Sequence, residues 1–337
     1  MPGTVTTAGP TAVRFALDAV PLARRVRLDL DLDLATDLDL RRVDGCWRLD
    51  LPRPAVDRLE YRFEIETADG TGSLVDPGNP DRIPGPFGDR SEIRFPEYRA
   101  PAWLDTPAGP EPRTVPGTAP VPTRLWSPQG LPDTTPAPLL LVHDGTDMAI
   151  RGSLLRWAAH RSAVAPLRVA LLDPADGARA DWYAANPAYA ALLAGTVVPA
   201  IAGTVAVQGI VGLGASLGAV GMMTLHRTAP GLLAGLALQS GSFFTPELDP
   251  QESGFTWFGR LCATSTAIAD SPGRPVPTLV TVGTVEENRA NNERLTAVLR
   301  DQGWPVRADL VRDGHTMIGW RDAWFPALDE LLEGAHG

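Results

Sequence analysis

Lysine is absent from these 337 residues; all thirty basic side chains are arginine, which reads as codon bias without functional content of its own. Cysteine is scarce. Cys46 and Cys262 lie far apart and, by the division below, in different domains, so no disulfide is expected and both read as buried small apolar groups. The five histidines and two cysteines lack metal-ligand spacing, and no motif calls for a cofactor. Positive charge is also short. A formal balance of −10 argues against nucleic acid or an anionic membrane as a general partner. No apolar run approaches the roughly eighteen residues needed to span a bilayer. Met1 to Pro10 has neither the basic start nor the apolar core of a signal peptide, so a cytoplasmic protein is expected. What is plentiful is core material, at 44% hydrophobic residues, enough for one large domain or two ordinary ones. Oligomeric state is not readable.

The texture of the chain changes once. Residues 1–104 read as an all-β sandwich, because short runs of period-two alternation recur between turn-formers. Val26 to Leu34, Cys46 to Leu51 and Leu59 to Ile65 are such runs. Trp47 and Tyr61 are expected in the core of that sandwich. Asp29, Asp31 and Asp33 lie two apart, as carboxylates at a cation site would, but the solvated face of an antiparallel strand accounts for them better. Residues 105–122 contain eight prolines or glycines, a composition that predicts an extended, solvated linker. From 123 to 337 apolar runs alternate with helical patterns, the signature of a mainly parallel sheet covered on both faces. Strands are predicted over 123–127, 138–143, 167–172, 208–213, 236–239, 278–283 and 306–311. Helices are predicted over 154–161, 188–201, 217–228, 287–301 and 320–332.

The stretch that organises the chain runs from Gln208 to Met223 and contains Gly214-Ala215-Ser216-Leu217-Gly218. An apolar strand ends in Gly-x-Ser-x-Gly and a helical pattern follows, which puts Ser216 on a sharp strand-to-helix turn. Glycine at 214 and 218 relieves the crowding of such a turn. The new helix aims its first N–H groups at negative charge developing beside the hydroxyl. In a chain with 33 glycines the five-residue pattern alone would also fit a glycine-rich loop. Its setting between strand and helix, and the residues downstream, give it weight.

In an open α/β sheet, chemistry gathers just after the carboxyl ends of strands. Ser216 follows one predicted strand, Glu286 and Glu287 another, and His315 a third. The order Ser, acid, His is that of serine hydrolases in which histidine takes the serine proton and a carboxylate fixes the imidazole. His160 and His226 fall within helices and His336 in the tail, as surface or structural residues; His143 ends a strand and reads as a loop-positioning residue. Glu286 lies nearer the strand end than Glu287, which begins an amphipathic pattern, so Glu286 is the preferred acid; a Ser–His pair without an acid stays open. An oxyanion hole needs two N–H donors, expected from Leu217 and from Thr146 in the loop His143-Asp144-Gly145-Thr146-Asp147. Arg179, Trp182, Tyr183, Phe243, Phe244 and Trp320 are the candidate substrate contacts, an arginine for an anion and aromatics for rings. Helix packing accounts for them equally well.

Leu141-Val142-His143-Asp144-Gly145, Gly214-Ala215-Ser216-Leu217-Gly218, Leu238-Gln239-Ser240-Gly241-Ser242-Phe243-Phe244, Gly283-Thr284-Val285-Glu286 and Asp313-Gly314-His315 resemble, in order, the motifs of enterochelin-esterase-like serine hydrolases. The resemblance implies an α/β-hydrolase three-layer sandwich, preceded by an immunoglobulin-like sandwich whose Asp76-Pro77-Gly78-Asn79-Pro80 is similar to that family's. It also implies Ser216 as nucleophile, His315 as base, Glu286 as acid, and Thr146 with Leu217 as the hole. Thr316 departs from the aspartate many members carry there, which bears on substrate more than on catalysis. The expected function is a serine esterase acting through an acyl-enzyme on a siderophore lactone or small acyl ester, a small-molecule partner. Alternatives are a binding protein on a hydrolase scaffold, a feruloyl or acetyl esterase of carbohydrates, and an acyltransferase of the same fold. The N-terminal domain is expected to wall the cleft, since residues 245–274 make only a short cap.

Overall fold

A computed structural model describes residues 6–18, 20–85 and 88–335. His336 and the first five residues of the expected leaderless start lie outside them. The chain divides into two compact units.

The first unit comprises residues up to Arg99 together with Gly283–Glu286 and Arg312–Thr316. Its strands are β1 Thr7–Ala8, β2 Ala12–Leu17, β3 Arg25–Leu30, β4 Arg41–Val43, β5 Cys46–Pro52, β6 Arg58–Thr67, β7 Gly70–Leu74, β8 Arg82–Ile83 and β9 Arg90–Arg94. They form two antiparallel sheets, β1-β2-β5-β4 and β3-β6-β9-β8, with β7 on β6. Alternation works as the sequence predicts. Val13, Phe15, Leu51 and Trp47 from one sheet meet Val26, Leu28, Leu59, Tyr61 and Phe63 from the other in one core. Tyr61 buries its ring there and donates its hydroxyl to Asp76 Oδ2 at 2.6 Å, so the Asp76–Pro80 turn is fastened to the core. Arg90 pairs with Asp29 at 3.1 Å and with Asp31 at 3.3 Å, which answers the acidic alternation with a guanidinium.

The second unit is built on an eight-stranded sheet ordered β10-β11-β13-β12-β14-β15-β16-β17. Its strands are β10 Arg113–Thr114, β11 Thr123–Trp126, β12 Ala137–His143, β13 Arg168–Leu172, β14 Val207–Ala215, β15 Gly235–Gln239, β16 Thr278–Gly283 and β17 Val306–Val311. The pairs from β13 through β12, β14 and β15 to β16 are parallel, and β11 joins β13 antiparallel. All seven predicted strands are present. The helices are α1 Gly145–Ile150, α2 Leu154–Ser162, α3 Arg179–Tyr183, α4 Pro187–Leu192, α5 Val198–Thr204, α6 Leu217–Thr228, α7 Phe258–Asp270, α8 Arg289–Asp301, α9 Met317–Asp322 and α10 Ala327–Gly334. On one face of the sheet α2 and α10 bury Leu154, Trp157, Leu328 and Leu332 against Leu140, Val169 and Leu213. On the other, α4 to α8 cover Leu139, Leu141, Leu236 and Leu238. Three layers result.

Five expectations are corrected. Residues 105–122 are not a solvated linker. Val115 and Val121 are buried in the core of the second unit, and β10 is an edge strand of its sheet. Trp103, assigned to the first domain by the sequence, is buried in the second and stacks on Trp324 at 5.9 Å, so the boundary falls at Arg99. Proline and glycine content reports the lack of regular structure, and burial is a separate matter. The helix expected over 320–332 is two helices, broken before Pro326, which has no N–H to continue the ladder. Finally, Pro187–Thr204 is a continuous helical stretch of 18 residues with mean hydropathy 1.4, long and apolar enough to cross a membrane. Here Tyr189, Ala190, Leu193, Val197, Val198 and Ile201 are packed into the core. The two cysteines form no disulfide and, where burial was expected, are only partly buried.

Candidate active site

At the end of β14 the chain reverses into α6 through Ser216, whose backbone stands at φ 55° and ψ −127°. That region is unfavourable for any side chain, and such strain is retained only where the surroundings impose it. They do so here. Ser216 N–H donates to Gln239 O at 2.8 Å, and a Cβ on Gly214 would lie 2.2 Å from Gly218 O, so the turn closes only over glycine. Ser216 is partly exposed, and its Oγ lies 3.3 Å from Ser242 Oγ. Leu217 N–H heads α6, one of the donors that a helix cannot satisfy from within.

The floor beneath the turn is aromatic. His143 is fully buried, its Nδ1 2.9 Å from Gly218 O and its ring 4.2 Å from that of Tyr183. A Cβ on Gly221 would approach the imidazole to 2.9 Å. Burial holds the His143 pKa down at about 4, so the ring is neutral and supports α6, as a loop-positioning residue would.

Glu286 and His315 come together within the first unit. His315 Nδ1 lies 3.5 Å from Glu286 Oε1, and Gly283 N–H donates to Oε2 at 2.8 Å. Glu286 is buried and Glu287 exposed, which separates the two adjacent acids by environment. The loops that carry this pair leave the carboxyl ends of β16 and β17. His315 remains partly exposed.

Other candidates fare differently. Thr146 N–H is engaged by Asp173 Oδ1 at 2.7 Å and its hydroxyl by Oδ2 at 2.8 Å, so the second oxyanion donor expected there is occupied by a carboxylate. Arg179 closes its fork on Asp144 with two bonds of 2.7 Å, which compensates the charge expected to meet an anion. Tyr183 is fully buried, and its hydroxyl accepts the Asp144 N–H at 3.1 Å; Phe243 is buried beneath Gly241. Neither faces solvent. Phe244 is buried beside Phe258. Trp182 and Trp320 keep partial exposure, the first stacked on Tyr189 at 4.9 Å, the second donating its indole N–H to Ser240 Oγ at 2.9 Å.

Sequence reasoning passed over the support of the loop after β15. Asn292 accepts the Gly241 N–H at 3.0 Å and donates to Gly241 O at 2.8 Å, while Asn288 donates to Ser240 O at 3.0 Å. The signal was available, since asparagines at 288, 291 and 292 share one face of a helix and a buried amide face is rare without a backbone to hold.

A three-layer α/β sheet with a strained serine between strand and helix defines the class as a serine-hydrolase fold. No protein-family model matches the chain, and no curated protein matches it in sequence. Solved structures do. Ferric enterobactin esterase from Salmonella typhimurium is similar at a TM-score of 0.74 and 17% identity, over 96% of this chain and 93% of its own. The enterobactin esterase of Shigella flexneri, solved in the presence of enterobactin, gives 0.75 and 17% over 98% and 96%. A ferulic acid esterase gives 0.51 and 16%, over 63% of this chain and 92% of its own. The chain therefore has the fold of enterobactin esterases along nearly its whole length.

Proposed function

We propose that the protein is a serine esterase that cleaves carboxylic esters through an acyl-enzyme. The observation that carries this reading is the backbone of Ser216, held at φ 55° on a turn that glycine alone can close. In the proposed reaction Ser216 Oγ attacks the ester carbonyl while His315 takes its proton. Leu217 N–H donates to the oxyanion, and Glu286 steadies the imidazolium. Collapse returns the proton from His315 to the departing alcohol, and water then attacks the acyl-serine by the same route.

The substrate in this reading is a small-molecule ester met in the cytoplasm, without a metal or cofactor. A siderophore lactone of the enterobactin kind is favoured over a feruloyl ester, because the likeness to enterobactin esterase covers 96% of this chain and that to ferulic acid esterase only 63%. Two antiparallel sheets sharing one core support the reading of the N-terminal unit as immunoglobulin-like.

The test is hydrolysis of p-nitrophenyl butyrate by the wild type and by Ser216→Ala, with intact-mass detection of a fluorophosphonate adduct. Turnover and labelling in the wild type, both lost in the variant, are expected. A folded wild type that is neither active nor labelled would overturn the esterase and leave the binding-protein alternative.

A further inference from the structure

Arg58 opens β6 with a guanidinium that is 1% exposed. Its Nε donates to Glu92 Oε1 at 2.8 Å and Nη2 to Glu60 Oε1 at 2.5 Å. Nη1 donates to Asp313 Oδ2 at 2.8 Å and to Thr316 Oγ1 at 3.2 Å. A buried ionic cluster of this kind is a poor device for stability, since well-packed apolar side chains usually do as well or better. Two of its four acceptors point to another use. Asp313 and Thr316 bracket His315 in the chain.

Further ties converge on the same loop. His315 N–H donates to Asp31 O at 3.0 Å, and a Cβ on Gly314 would lie 2.1 Å from that oxygen. Asp57 N–H donates to Arg312 O at 2.8 Å, and the Arg312 side chain returns to Asp57 Oδ1 at 2.8 Å. The acid loop is held likewise, Thr284 Oγ1 donating to Ala55 O at 2.9 Å and Val285 packing against the sandwich core. Val285 N–H reaches Asp313 O at 3.4 Å and links the two loops. Acid and base are thus carried on a frame of sandwich residues.

We infer that Arg58 is a positioning residue for the catalytic base, its fork fixing the chain on both sides of His315 so that the imidazole presents Nδ1 to Glu286. The N-terminal sandwich is by this inference a working part of the acid–base machinery. The inference rests on the esterase reading for its kinetic consequence and on geometry alone for its structural one. A displacement of about 1 Å in a catalytic group costs on the order of a hundredfold in rate.

The experiment uses the full chain and three variants, Arg58→Met, Asp313→Asn and Thr316→Val, with thermal melting to establish that each folds. For Arg58→Met, kcat on p-nitrophenyl butyrate should fall about a hundredfold with KM within about twofold. Thr316→Val removes the bond to Arg58 without stranding a buried charge and should cost about fivefold in kcat alone. Should Arg58→Met fail to fold, Thr316→Val and Asp313→Asn decide. The ¹⁵N spectrum of labelled histidine reads the same inference without turnover: one Nδ1–H tautomer of His315 in the wild type, a mixture in the folded variants. Folded variants that keep both kcat and the single tautomer overturn the positioning role. An inactive wild type whose tautomer is lost in the variants overturns the esterase and leaves the positioning intact.

Discussion

His315 Nδ1 stands 3.5 Å from Glu286 Oε1, and the second oxygen of that carboxylate is held by the Gly283 N–H at 2.8 Å. The Glu286 carboxylate is thus oriented by backbone on one side and faces the imidazole on the other, while its neighbour Glu287 is exposed to solvent. Glu286→Gln should lower kcat on p-nitrophenyl butyrate by about 10² to 10⁴-fold, because the amide no longer fixes the tautomer or balances the imidazolium. Glu287→Gln should stay within about twofold. Steady-state kinetics of the pair check this, and a larger loss in the second variant would reassign the acid.

The turn at Ser216 depends on the absence of a side chain at Gly214, where a Cβ would stand 2.2 Å from Gly218 O and 2.7 Å from Ala219 N. Both obstacles are backbone and cannot rotate aside. Gly214→Ala should therefore destabilise by about 3 kcal/mol or more and abolish fluorophosphonate labelling. Urea denaturation measures the first effect and intact mass the second. A variant as stable and reactive as the wild type would mean that the turn at Ser216 accommodates a side chain at position 214.

His143 is neutral in the folded state, with its pKa held at about 4 by burial against an unfolded value near 6.5. Between these values the unfolded chain binds the extra proton, so this residue makes stability rise with pH across the window and fall as pH drops from 6.5 toward 4. The full effect is about 3 kcal/mol. Since glutamine takes up no proton, the stability difference between wild type and His143→Gln should shrink by about that amount over the same interval. Denaturant titrations at pH 4, 5, 6 and 7 follow it. A difference that is flat with pH would place the ring's titration elsewhere.

Trp103 lies between Pro101 and Pro107 in a stretch without a strand pattern, yet its ring is 2% exposed and stacks on Trp324. Trp103→Ala should cost about 3 to 5 kcal/mol in chemical denaturation, as for other buried tryptophans. A loss below about 1 kcal/mol would restore the segment to a linker. A truncation that begins at residue 121 removes Trp103 and Val115 from the core, whereas one that begins at Ala100 keeps both.

Periodicity and turn chemistry were legible because they are local. The alternation of β3, β5 and β6, the apolar strands of the large sheet and the Gly-x-Ser-x-Gly turn each state their conformation within about ten residues, and each stands where expected. Position near the strand end already favoured Glu286 over Glu287, and the tertiary structure adds burial, which adjacent residues of one type do not encode. The closure of Arg179 on Asp144 and of Asp173 on Thr146 was hidden because each joins residues about thirty positions apart through side-chain geometry.

By itself the sequence determined a β-rich first region, a parallel α/β second region and a serine at a strand-to-helix turn, since hydrophobic period and glycine placement dictate these directly. Only the tertiary structure decided where one unit ends, which carboxylate faces His315, and that Arg58, some 255 residues from Asp313, anchors the histidine loop. Those depend on which distant surfaces lose water together, and burial of that kind is a property of the assembled chain.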